Sequence, residues 1–104
     1  MPVGELRPRV TPIGRRDIIR DALETGDWAT AAEQLAEARH RAEHRMVAGI
    51  TSWSAYVESL GISRMHGWRL CLIAATEQTR MGYNYRQALE AAITATRESA
   101  KPSP

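Results

Sequence analysis

The chain of 104 residues has no phenylalanine, a single cysteine, a single lysine and no long apolar run, and each scarcity narrows what it can be. One thiol, Cys71, excludes an internal disulfide framework and fits a reducing compartment. No segment approaches the roughly 20 apolar residues of a membrane-crossing helix. The opening MPVGELRPRV lacks the apolar core of a signal peptide, so a cytoplasmic protein is expected. Without Phe the core must come mainly from Ala, Leu and Ile, and with abundant Arg and Glu that composition favours helices. Phosphate-cradling glycine loops, catalytic dyads and zincin spacings are also missing, so no enzyme and no cofactor is expected. The length suits one domain with a modest core.

What is present is an uneven distribution of charge. The net charge is +2, but residues 1–20 sum to +3, residues 21–60 to −4 and residues 61–86 to +3. Basic segments that flank an acidic middle are the layout of a DNA-facing surface on an acidic scaffold. Thirteen of the fourteen Lys and Arg residues are Arg, which suits bidentate contact to guanine and phosphate. Genome base composition skews the same ratio, so it carries little weight.

Hydrophobic periodicity predicts an all-α domain of about five helices and no strand. Pro2, Pro8 and Pro12 lie beside Arg7 and Arg9, which predicts a flexible basic arm over residues 1–13. The helical domain spans 14–100, and KPSP at 101–104 reads as a disordered tail. A first helix is expected over 14–25, with Ile18, Ile19, Ala22 and Leu23 as its apolar stripe, ended by Gly26. Asp27 caps a second over 28–46, whose apolar face is Trp28, Ala31, Leu35, Ala38, Ala42 and Met46. A third runs over 52–60, a fourth over 63–80, and a fifth from Asn84 to about 99 with Leu89, Ala92, Ile93 and Thr96 as its seam. GDWATAAEQLAEA has the look of a tetratricopeptide helix, but no second copy occurs at the required period.

The stretch WSAYVESLGISRMHGWRLCLIA carries the chemistry. Gly61 can take the positive φ of a sharp corner, and Ser63 can cap the helix that follows. Through Leu60, Gly61, Ile62, Ser63 and Arg64, then Trp68, Arg69 and Leu70, residues 53–74 resemble the helix-turn-helix of small bacterial, phage and plasmid DNA-binding regulators. The likeness covers about a fifth of the chain. It departs at Val57, where a small Ala is usual, and at Gly67, where a small or branched apolar residue is usual. A close helix crossing would account for Gly67, and so would a different packing.

The resemblance implies sequence-specific binding of double-stranded DNA by a small transcriptional regulator, a repressor, working as a homodimer. Helical geometry then turns Ser63, Arg64, Met65, Trp68 and Arg69 toward the groove, with His66 at the border. Arg64 and Arg69 would meet guanine or phosphate, and Met65 thymine methyls. Thr51, Ser52 and Ser54 would hold flanking phosphates, and Arg15 and Arg16 of the basic first segment are added as DNA contacts. A competing reading starts from LCLIAA at 70–75, apolar on almost every side, which makes the fourth helix a core helix with Met65 and Trp68 buried too. The matching functional rival is a helical protein-interaction module that binds no DNA. His40 and His44 stand four apart near Glu37, a spacing that can bind zinc, but no further ligand cluster supports a metal.

Overall fold

The computed structural model describes residues 10–80 and 82–100, and these form an all-helical domain. Five α-helices follow in order: α1 Pro12–Thr25, α2 Trp28–His40, α3 Trp53–Ser59, α4 Arg64–Ala75 and α5 Tyr85–Ala100. Short 3-10 turns occur at Glu43–Met46 and Gln78–Arg80. Residues 1–9 of the expected arm and the expected tail at 101–104 lie outside the described residues. No described helix is long and apolar enough to cross a membrane.

Local chemistry explains most boundaries. Thr11 accepts from the Gly14 N–H and Pro12 takes the first helical position, where its missing N–H costs nothing. The helix therefore starts two residues before the expected position. Asp27 caps α2 through the Thr30 N–H, and hydrogen bonding from the Thr30 side chain, then from its backbone N–H, holds the Asp27 carboxyl below its usual pKa. Asn84 and Gln87 bond reciprocally at the start of α5, a capping box.

Two helices end earlier than periodicity predicts. The second stops at His40 because Ala42 adopts a left-handed conformation, φ 53°, and turns Glu43 inward. Met46, expected on the buried face, is consequently 63% exposed. The fourth stops at Ala75: the Thr76 hydroxyl donates back to the Leu72 and Ile73 carbonyls, and Glu77 follows at φ 60°. Competition of this kind from a threonine side chain favours a helix end.

Packing places α2 between α1 and α4, and α5 packs on α4 while its Tyr85 meets Trp28 of α2. Ala31, Ala32, Leu35 and Ala38 of α2 are fully buried against Ile19 and Ala22 of α1 and Leu70 and Cys71 of α4. The run of alanines lets the neighbours approach closely, while each large buried side chain contributes about 1.5–3 kcal/mol. Ile73, Ala88 and Ala92 form a second small cluster that docks α5. Ile18, expected in the stripe of α1, is instead 37% exposed. Its expected place on the inward face is taken by Arg15, one turn before Ile19.

Candidate nucleic-acid interface

The corner between α3 and α4 is built by backbone demands. Gly61 takes φ 87°, a conformation that costs other residues about 1–2 kcal/mol. Ser63 then accepts from the His66 N–H at 3.1 Å and opens α4. From α1, Arg16 donates to the Ser59 hydroxyl at 2.8 Å and Arg20 to the Ser59 carbonyl at 3.3 Å, which fastens the end of α3.

The two departures from the family pattern meet in space. A Cβ at Gly67 would lie 2.6 Å from Cγ1 and 3.2 Å from Cγ2 of Val57. The large residue on α3 is therefore accommodated by the missing side chain on α4, and the close crossing is the packing observed.

Along α4 the two faces separate cleanly. Gly67, Leu70, Cys71 and Ile73 are buried, whereas Ser63, Arg64, Met65, Trp68 and Arg69 are exposed. Met65 is 55% and Trp68 50% exposed, so the expectation that both join the core does not hold. With Ser63 and Arg64 they line an open, largely apolar groove. Arg64 and Arg69 have no carboxylate partner among the described residues, unlike Arg41 with Glu37 and Arg86 with Glu90.

The remaining expected contacts are placed differently. Thr51 and Ser52 are exposed at the start of α3, where Ser52 caps Ala55 at 3.0 Å, and Ser54 is half-buried nearby. His66 turns away from the groove and packs edge-on against Tyr85, with centroids 5.7 Å apart. Arg15 is 6% exposed and is committed within the fold, donating to Glu43 at 2.9 Å and also to Gln34. Arg16 is half-buried and committed to Ser59. His40 and His44 no longer share one helix, and His44 instead lies against Trp53. Among the described residues no cluster of three metal-ligating side chains occurs.

One neighbour of this surface is not evident from the helical pattern. Arg39, at the end of α2, joins Trp53, Ser54, Val57, Arg64 and Trp68 around a small cavity. Its only local signal is its place one turn after Leu35, at the border of the buried stripe. It also lies against the Cys71 thiol, whose pKa burial pushes up.

Burial pushes the His66 imidazole below its usual pKa, and nearby Arg69 acts in the same direction. The folded state thus prefers neutral His66, and stability present above the unfolded value near 6.5 is lost as pH falls through the lower folded value. Acidification from pH 7.5 to 5 is expected to lower the stability of the wild type more than that of His66→Phe. Urea denaturation at both pH values measures the difference, and equal losses would remove His66 as the cause.

The chain matches no protein-family model, and no characterised protein or solved structure is found to be similar to it.

Proposed function

We propose that the chain binds double-stranded DNA sequence-specifically through the exposed face of α4, as a small transcriptional repressor of phage, plasmid or mobile-element type. The observation that carries this reading is that face itself: two unpaired arginines, Arg64 and Arg69, bracket half-exposed Met65 and Trp68 on a helix capped by Ser63. Duplex DNA offers the matching chemistry, with anionic strands, guanine acceptors and apolar thymine methyl groups in one groove. A homodimer on two half-sites about one helical turn apart would double the contacts of so small a module. The resemblance of residues 53–74 to helix-turn-helix regulators supports the same reading.

Exposed Trp and Met flanked by arginine also suit a protein interface, which keeps the interaction module as the rival. Fluorescence anisotropy on genomic fragments at several salt concentrations separates the two. DNA binding predicts that log K falls linearly with log salt, and that Arg64→Ala and Arg69→Ala each weaken binding by about 1–3 kcal/mol with helicity unchanged. Absent or salt-insensitive binding would sink the proposal.

A further inference from the structure

We infer that the cavity between α2, α3 and α4 is a binding site for a single phosphate-type oxyanion, centred on Arg39 and Arg64. Its walls are Arg39 from α2, Trp53, Ser54 and Val57 from α3, and Arg64 and Trp68 from α4. The cavity, about 100 Å³ in volume, has room for one tetrahedral oxyanion. Two arginines line it from different helices, a serine hydroxyl can donate a further hydrogen bond, and no acidic side chain lines it. Neither Arg39 nor Arg64 has a carboxylate partner among the described residues, so both charges are available. The indoles of Trp53 and Trp68 supply low-dielectric walls that strengthen charge pairing inside. Planar guanidinium forks match phosphate oxygens better than an ammonium would.

The identity of the oxyanion follows from what adjoins the cavity. Arg64 and Trp68 line both the cavity and the open groove with Met65, so a strand lying along α4 passes the cavity mouth. The ligand is then one backbone phosphate of duplex DNA, an assignment that rests on the function proposed above. It divides the arginines: Arg39 and Arg64 fix position, and Arg69 is left to read bases. Arg39→Gln and Arg64→Ala should therefore weaken specific and random duplexes alike, while Arg69→Ala should act mainly on the specific one.

Two measurements on the full chain test this. First, inorganic phosphate is titrated against acetate at constant ionic strength while the indole N–H resonances are followed. Phosphate should move the Trp53 and Trp68 signals but not that of Trp28, and Arg39→Gln should abolish the movement. Second, Arg39→Gln should lower DNA affinity about 5–10-fold and reduce the slope of log K against log salt by about one. Arg39→Lys should keep that slope, and Arg97→Gln, at the far end of α5, should leave it unchanged. DNA binding with an unaltered slope in Arg39→Gln overturns the inference while leaving the DNA reading intact. Phosphate-dependent indole shifts in a chain that binds no DNA would keep the oxyanion site and sink the DNA reading instead. Absence of both the shifts and the slope change overturns the site.

Discussion

Arg15→Ala will destabilise the fold by about 3–5 kcal/mol, far more than removal of an exposed arginine, because it leaves a buried carboxylate without its counter-charge. Arg15 and Glu43 side chains are 7% and 5% exposed and meet at 2.9 Å, with Gln34 as a second acceptor for the guanidinium. The pair also holds the chain where α2 breaks, since Glu43 directly follows left-handed Ala42. A loss of that size is a large fraction of the 5–15 kcal/mol that typically separates folded from unfolded domains. Arg15→Met combined with Glu43→Leu should recover most of it or exceed the wild type, because two apolar residues incur no desolvation of charge. Urea denaturation with a shared m-value measures both variants. A loss below about 1 kcal/mol in Arg15→Ala would show that water reaches and solvates Glu43.

Gly67→Ala is expected to lower stability by about 1–3 kcal/mol, even though alanine favours a helix by about 1 kcal/mol over glycine. The new Cβ would fall 2.6 Å from one Val57 methyl and 3.2 Å from the other, so even a rotated valine leaves a tight contact to which its surroundings must give. Val57→Ala, at a site 1% exposed, removes the obstacle but leaves a cavity. The double variant restores the small residue on α3 and fills the gap from α4. Its stability should exceed the sum of the two single effects by about 1–3 kcal/mol in a double-mutant cycle. Simple additivity would mean that α3 and α4 separate freely at this point.

How much of this was legible in the residues depended on the range of the determining interaction. The all-helical class, the Asp27, Ser63 and Asn84 caps and the Gly26 and Gly61 corners follow from contacts within a few residues, and the structure agrees with them. The exposed face of α4 likewise follows from helical spacing once Leu70 is taken as core. Long-range partners escaped. Arg15 looked like a surface charge because its partner, Glu43, is 28 residues away, and a buried arginine is legible only from its partner. The early stop of α2 had the same hidden cause, which left Met46 on the wrong face. His66 sat at the border of the groove until Tyr85, from a different helix, drew it inward. Arg39 reaches Trp53 and Arg64 only through the packing of α2 against α4, which no periodicity within one helix encodes. Val57 and Gly67 each looked like a flaw alone, and only their contact makes them complementary.

The division of α4 into two faces bears on how such a protein can diverge. Arg64 and Arg69 stand outside the core, where substitutions typically change stability by no more than about 0.5 kcal/mol. Gly67, Leu70 and Cys71, interleaved with them on the opposite side, tolerate little. Descendants of one ancestral chain could therefore exchange the outward residues repeatedly, without each step eroding the fold that displays them, and on the function proposed above each exchange would alter the target.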